Sequence, residues 1–293
     1  MINRRSFLTG SLSALLPFGH ARAEGRRRLA AIDWAAAESL LALGLPPLAV
    51  ADTDYYNQRM PQRLPPETKD IGPFWEINLE RLDRLRPDLV FIGAPSLFMT
   101  PRLREIAPVE VVTEKTGEDS YQRAGAILRQ CCRAAALPDS RADVILDQIE
   151  HQMDVLAQSL DRTQPICVLL PDQSGSRAMV YGINSMPDAV LKRLGLINAW
   201  QGPTNAGGFV QVGFEALMPL KDAIFVQMEI PSLAPQTDRA LADSKLWQRL
   251  SPVREKRIVR IGQFYPFGGC LSTLHLATAL SKAVSSQQKR PMP

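Results

Sequence analysis

Short apolar runs alternate with amphipathic stretches along most of the chain. Continuous apolar runs predict buried strands, and apolar positions repeating every three to four residues predict helices that bury one face. In the first half, this pattern predicts strands at residues 29–33, 48–52, 88–93 and 110–113, and helices at residues 35–43, 78–85, 100–106 and 120–136. This alternation is typical of parallel strands covered by helices.

One long stretch without Gly or Pro, residues 139–162, interrupts this alternation. Pro165 ends the predicted helix. Its apolar positions fall on one helical face: Ile145, Ile149, Met153, Leu156 and Leu160. Afterwards the pattern resumes, with strands at residues 166–170, 223–227 and 258–261 and helices at residues 187–194, 238–247 and 271–284. We therefore predict an α/β fold in which two Rossmann-like α/β lobes are joined by one long backbone helix. Binding loops at the carboxyl ends of the strands then face a cleft between the lobes.

The N-terminus predicts export. Arg4 and Arg5 precede a short apolar run and a small-residue cleavage site that ends at Ala23. This predicts a twin-arginine signal peptide over residues 1–23 and a periplasmic location, with an ordinary secretory signal as the alternative. The remaining predicted boundaries are residues 24–138 for the N-terminal lobe, 139–163 for the connecting helix, 164–284 for the C-terminal lobe and 285–293 for a disordered tail.

Charge excludes one class of partner. The net charge of +4 falls to +1 when the signal peptide and its three arginines are removed, and acidic and basic residues are interspersed. Nucleic-acid binding depends on a concentrated basic face, so we expect no nucleic-acid partner. We expect a monomer.

The residue patterns of common catalytic and metal centres are missing. The sequence contains no Gly-x-Ser-x-Gly, His-Glu-x-x-His or phosphate-binding loop, and the mature chain keeps only His151 and His275, far apart. The four cysteines lack zinc-site spacing, and we expect buried free thiols: Cys131, Cys132, Cys167 and Cys270. These patterns predict a binding protein rather than an enzyme, without a cofactor of its own.

Three stretches resemble the periplasmic iron(III)-hydroxamate siderophore-binding proteins of ABC importers. They are Ala-Ile-Asp-Trp34 with the following Glu-Ser-Leu-Leu-Ala-Leu-Gly44, then Asn-Ala-Trp-Gln-Gly202 with Thr-Asn205, and finally Leu-Trp-Gln248 with residues 268–276. The resemblance implies a class III periplasmic binding protein fold, a ferric siderophore or similar chelate as ligand, and an ABC permease in the inner membrane as partner. Iron is then bound only through the siderophore.

The resemblance also implies positions for the ligand site. A family Arg that meets hydroxamate oxygens corresponds to Phe74, which is followed by Trp75. A family Tyr falls near Ser96, close to Phe98, and a family Trp falls at about Gly207. A further cleft aromatic corresponds to Tyr265, with Phe267 two residues later.

Because the family Arg is missing, another cation has to contact the hydroxamate oxygens. We expect Arg59, in the loop after the second predicted strand, to supply it beside an aromatic wall that includes Tyr55 and Tyr56. The resemblance implies two acidic contacts with the permease, Glu38 on an exposed turn of the first helix and Asp188 on the matching C-terminal helix.

Two alternatives remain open at this point. The missing Arg leaves room for another chelate, such as cobalamin or haem, for which Tyr55, Tyr56 or Tyr265 is available as an axial ligand. The other is an exported metal-handling enzyme or chaperone-like factor on the same scaffold.

Overall fold

The computed structural model describes residues 27–112 and 119–288, which contain two five-stranded sheets. The first sheet comprises β1 (Leu29–Ala31), β2 (Ala49–Val50), β3 (Lys69–Asp70), β4 (Leu89–Ile92) and β5 (Val109–Val111). Its order is β3-β2-β1-β4-β5, and all neighbouring strands are parallel, as predicted. The predicted signal peptide lies outside the described residues.

Helices alternate with the strands of this first sheet. They are α1 (Trp34–Ala42), α2 (Thr53–Arg59), α3 (Leu79–Leu85), α4 (Thr100–Arg104) and α5 (Ser120–Ala134). The carboxylate of Asp33 accepts the backbone N–H of Ala36 at 2.8 Å and so caps α1. Residues 34–41 of α1 are all buried, because α1 packs against both α5 and the last helix of the chain.

The second sheet is mixed, which corrects the prediction of parallel strands. It comprises β6 (Ile166–Pro171), β7 (Arg177–Tyr181), β8 (Phe209–Gly213), β9 (Ile224–Glu229) and β10 (Ile258–Gly262), in the order β10-β9-β6-β7-β8. β6, β9 and β10 are parallel, whereas β7 runs antiparallel to both β6 and β8. β7 and β8 escaped prediction because their short sequences, RAMVY and FVQVG, are neither continuously apolar nor strictly alternating.

The connecting helix α6 (Asp139–Gln158) lies between the two sheets in the chain and buries Leu146, Ile149 and Met153 on one face. It ends before the predicted residue 162, because the Ser159 hydroxyl donates to the carbonyl of Leu156 at 3.2 Å at its C-terminus. The remaining helices are α7 (Met186–Arg193), α8 (Ala234–Asp243), α9 (Lys245–Arg249), α10 (Ser251–Arg254) and α11 (Cys270–Gln288).

Two further boundaries differ from prediction. Residues 238–247 form parts of two helices, because Ser244 is extended and its hydroxyl accepts the backbone N–H of Trp247 at 3.4 Å, which starts α9. The predicted disordered tail is wrong up to Gln288, where α11 ends. The Gln288 amide donates to the carbonyl of Asp161 at 2.6 Å and accepts its N–H at 3.2 Å. Residues 289–293 lie outside the described part of the chain.

One hydrophobic core extends from the first sheet to the second. It includes Phe91 of β4 and Val168 of β6, and α6 and α11 contribute Met153 and Leu280 between them. The four cysteines are free and buried, as predicted, and burial raises the pKa of each thiol. The core therefore joins both lobes into one packed unit.

Candidate functional site

A cleft of about 360 Å³ opens between the carboxyl ends of the first sheet and the turn before α11. Asp33 and Gly93, which follow β1 and β4, line one side together with Arg123 of α5. Phe209 and Phe267 line the other side. The cleft therefore lies where the predicted binding loops meet.

Aromatic rings bridge the cleft from one lobe to the other. The ring of Trp34 lies 5.7 Å from that of Tyr55 and 4.8 Å from that of Tyr265, between ring centroids. The ring of Phe267 lies 5.8 Å from that of Tyr265 and 6.5 Å from that of Phe209, again between ring centroids. These separations are typical of interacting aromatic pairs. The predicted positions of Tyr55, Tyr265 and Phe267 are therefore brought together here.

Arg59 lies at the edge of this aromatic chain, on helix α2 rather than in the predicted loop. Its guanidinium carbon lies 4.1 Å from the centre of the Tyr55 ring. With the amide oxygen of Gln263 facing Arg59, Nε and Nη2 donate to it at 2.8 and 3.0 Å. The guanidinium therefore already links α2 to the loop after β10. Polar α2 escaped prediction because it buries only one side chain, Tyr56.

An exposed aromatic rim lies at the carboxyl ends of β3 and β4 in the N-terminal lobe. Phe74 and Trp75 follow β3 and stack edge-to-face at 4.8 Å, and Phe98 follows β4. Trp75 is 59% exposed and Phe98 is 70% exposed. Rings this exposed have no structural partner sufficient to bury them, so the rim presents apolar surface to solvent.

Two residues predicted in the wall are buried behind it. Ser96 is buried, and its hydroxyl donates to the carbonyl of Phe74 at 3.5 Å, which ties the two rim loops together. Tyr56 is 0% exposed: its ring packs edge-to-face on the buried Trp34 ring at 5.6 Å between centroids, and its hydroxyl has no hydrogen-bond partner among residues 27–112 and 119–288. The prediction that Tyr56 lines the cleft is wrong.

The exposed position predicted for Glu38 is also wrong. Glu38 is 1% exposed, and its carboxylate accepts the backbone N–H of Gly269 and, at 2.9 Å, the hydroxyl of Ser272. Burial raises the pKa of Glu38 to about 7. The carboxylate therefore holds the N-terminus of α11 from the opposite lobe, and it is not available to another protein.

Asp188 is likewise buried at 2% exposure. Its carboxylate forms an ion pair with Lys192 at 2.7 Å and accepts the amide of Asn198 at 3.0 Å. Asp188 lies in the first turn of α7, which Ser185 caps. These contacts make Asp188 part of the lobe's own packing, which corrects its prediction as a permease contact.

Sequence reasoning missed Phe209. The family Trp corresponds to about Gly207, and a Cβ atom there meets the Phe209 ring at 2.6 Å. Phe209 therefore fills the space that a side chain at residue 207 needs. The aromatic residue directly after the pair Gly207-Gly208 was the available signal.

His151 and His275 are exposed on α6 and α11 and do not line the cleft. Within residues 27–112 and 119–288, no group of three or more His, Cys, Asp or Glu is placed to hold a metal ion. None of the described helices is long and apolar enough to cross a membrane.

Comparison with known proteins gives consistent matches. Residues 29–265 match the family model described as periplasmic binding protein. The chain is 30% identical over 293 residues to the iron(3+)-hydroxamate-binding protein FhuD of Escherichia coli (strain K12), covering 98% of each chain.

Solved structures show the same fold. The Fe³⁺-Desferal-bound siderophore-binding protein FhuD of Vibrio cholerae has a TM-score of 0.81 at 23% identity, covering 89% of this chain and 99% of its own. The triscatecholate siderophore-binding protein FeuA of Bacillus subtilis, complexed with ferri-bacillibactin, has a TM-score of 0.68 at 12% identity, covering 89% and 93%. The predicted two-lobed fold with a connecting helix is confirmed.

Proposed function

The chain belongs to the periplasmic binding protein family, and from that premise we propose that it is the siderophore-binding component of an ABC iron importer. It captures a ferric hydroxamate-type chelate in the cleft and delivers it to the permease. The observation that carries this proposal is the chain of aromatic rings from Trp34 to Phe209 across the cleft.

The chemistry of the cleft suits a chelate rather than a bare ion. A siderophore surrounds iron with its own oxygen atoms, so the protein has to recognise an organic surface. Aromatic rings cover the apolar skeleton of such a ligand, and a few polar groups orient it. The iron is cargo, bound only through the siderophore, and the proposed protein needs no cofactor.

The charge of the cleft favours a chelate without a large negative charge. The Arg59 guanidinium is engaged by Tyr55 and Gln263, and the carboxylate of Asp33 lies in the wall near Arg123. A ferric trihydroxamate is neutral or weakly cationic, whereas a ferric triscatecholate carries several negative charges. Electrostatic complementarity therefore supports the trihydroxamate.

Export to the periplasm and action as a monomer belong to the same proposal. The twin-arginine pattern at Arg4 and Arg5 supports export, although it lies outside the described residues. Because Glu38 and Asp188 are buried, contact with the permease has to use other residues on the two lobes.

Tryptophan fluorescence tests the proposal. The purified protein is titrated with a ferric trihydroxamate, a ferric triscatecholate, cobalamin and haem. We expect saturable quenching by the trihydroxamate, because Trp34 contacts Tyr265 of the cleft wall and Trp75 is exposed at the carboxyl end of β3. The Trp75→Phe variant should lose part of this quenching, whereas Trp247→Phe, altered in the C-terminal core, should keep it. Saturation by haem or cobalamin without response to the trihydroxamate would contradict the proposal.

A further inference from the structure

A second cavity, of about 410 Å³, lies in the C-terminal lobe at the carboxyl ends of β6 and β9. Leu170 and Met228 at the ends of these strands give it apolar walls, and Thr237 of α8 lies on another side. The carboxyl ends of parallel strands are where open α/β sheets bind ligands. None of its lining residues belongs to the lining of the cleft described above.

The second cavity borders the cleft along one face of the sheet. Phe209 pairs with Tyr181, and Gln211 pairs with Met179, two residues further along β8 and β7. Alternate residues of a strand share a face and lie about 7 Å apart. Phe209 lines the cleft, whereas Gln211 and Met179 line the second cavity. A ligand in the cleft therefore lies within reach of this cavity.

The amide of Gln227, in the cavity wall, has no hydrogen-bond partner among residues 27–112 and 119–288. Gln227 of β9 is 3% exposed, and its side chain forms no hydrogen bond with another residue in the described part of the chain. The amide therefore indicates a position for a polar group of a ligand.

Acidic groups exceed basic groups around the cavity. Asp172 and Glu229 line it, and Asp172 forms no ion pair among residues 27–112 and 119–288. Both terminal nitrogens of Arg260 donate hydrogen bonds to the carboxylate of Asp238, at 3.0 and 2.6 Å. The contact of Arg260 with Glu229 is longer, at 3.6 Å. The cavity thus combines apolar walls with two carboxylates and no basic residue in its lining, although Asp172 accepts the N–H and the hydroxyl of Ser174 at 3.1 and 2.6 Å.

We propose that this cavity is a subsite for a side arm of the chelate, an apolar stem that ends in a primary ammonium group. The stem packs against Leu170 and Met179, and the ammonium donates hydrogen bonds to the carboxylates of Asp172 and Glu229. This inference rests on the proposed function, because the arm enters from a chelate held in the cleft. It assigns to the C-terminal lobe a preference among hydroxamate chelates that the aromatic cleft alone does not explain.

Two matched probes test the subsite. One is the ferric complex of a linear trihydroxamate that ends in a free primary amine, and the other is the same complex with the amine acetylated. We expect the free amine to bind about fivefold more tightly at low salt, the effect of one partly exposed ion pair. Because salt screens such pairs, the difference should shrink at high ionic strength.

Variants assign the effect to the cavity. The double variant Asp172→Asn and Glu229→Gln should lower affinity for the free amine to that of the acetylated complex, and should leave the acetylated complex unchanged. Asp243→Asn, an exposed carboxylate on α8 outside the cavity, serves as the matched control. Thermal unfolding of each variant verifies that it folds.

Each outcome is decisive. Equal affinity of the wild-type protein for both probes overturns the subsite while the proposed function stands. Equal weakening of both probes in the double variant also overturns it, because such a loss does not depend on the amine. Binding of neither probe overturns the proposed function, and the subsite with it.

Discussion

Two tyrosine hydroxyls differ sharply in their surroundings. The hydroxyl of Tyr56 is buried without a hydrogen-bond partner in the described part of the chain, whereas that of Tyr121 donates to the carboxylate of Glu150 at 2.6 Å. We expect Tyr56→Phe to leave the free energy of unfolding unchanged or to raise it by about 1 kcal/mol, because an unpaired buried group is removed. Tyr121→Phe, the matched control, should lower it by about 1 kcal/mol. Urea unfolding measures both, and a loss in Tyr56→Phe as large as in Tyr121→Phe would refute this reading.

The buried carboxylate of Glu38 makes stability depend on pH. Its pKa in the folded protein is about 7, above the ordinary value of 4.5, so the folded state binds the proton more strongly than the unfolded state. The stability that this proton contributes is fully present below about pH 4.5 and is lost as the pH rises through about 7.

The variant Glu38→Gln removes this titration. We expect the free energy of unfolding of the wild-type protein, relative to Glu38→Gln, to rise by about 2–3 kcal/mol between pH 8 and pH 5. Urea unfolding at both pH values measures it, with Glu80→Gln on the exposed face of α3 as the control. If the difference in free energy of unfolding between the wild-type protein and Glu38→Gln is the same at both pH values, Glu38 is not buried as described.

At the scale of elements, the rim loops after β3 and β4 carry the exposed aromatics. We expect Trp75→Ala to weaken chelate binding about tenfold, because aromatic anchors dominate binding energy. The melting temperature of this variant should equal that of the wild-type protein, since the Trp75 ring is mostly exposed. Val144→Ala, at an exposed position of α6, should change neither quantity. A fall in melting temperature with unchanged affinity would assign Trp75 to the fold instead.

The elements that the sequence predicted are those with a clear apolar stripe or a continuous apolar run. The buried face of α6 and the strand β4 are of this kind. Polar α2 and the antiparallel strands β7 and β8 lack such patterns, because tertiary contacts rather than local periodicity stabilise them. In the site, the aromatic positions were predictable from the resemblance. The burial of Glu38 was not, since its partners lie more than 200 residues away in the chain.

At the scale of the whole molecule, the shared core predicts cooperative unfolding. One cluster joins Phe91 of the first sheet to Val168 of the second and is larger than the cluster that each lobe has to itself, so we expect the two lobes to unfold together. We expect circular dichroism and tryptophan fluorescence to report one coincident urea transition. Leu280→Ala in α11 should lower the free energy of unfolding by about 2–5 kcal/mol, by the same amount with either signal. Val155→Ala, at an exposed position of α6, should leave the free energy of unfolding unchanged with both signals.

Two separate transitions would contradict the shared core. They would mean that the α6 and α11 contacts add little to the stability of either lobe, and that each sheet with its helices unfolds as an independent unit.

The continuous core between the lobes also bears on how long the cargo stays bound. A molecule whose halves share packed side chains cannot clamp its ligand by a large closing movement, because such a movement breaks that packing. Residence time is then set by the contacts that the bound chelate makes with the protein, and differences in affinity among chelates lie in their dissociation rates.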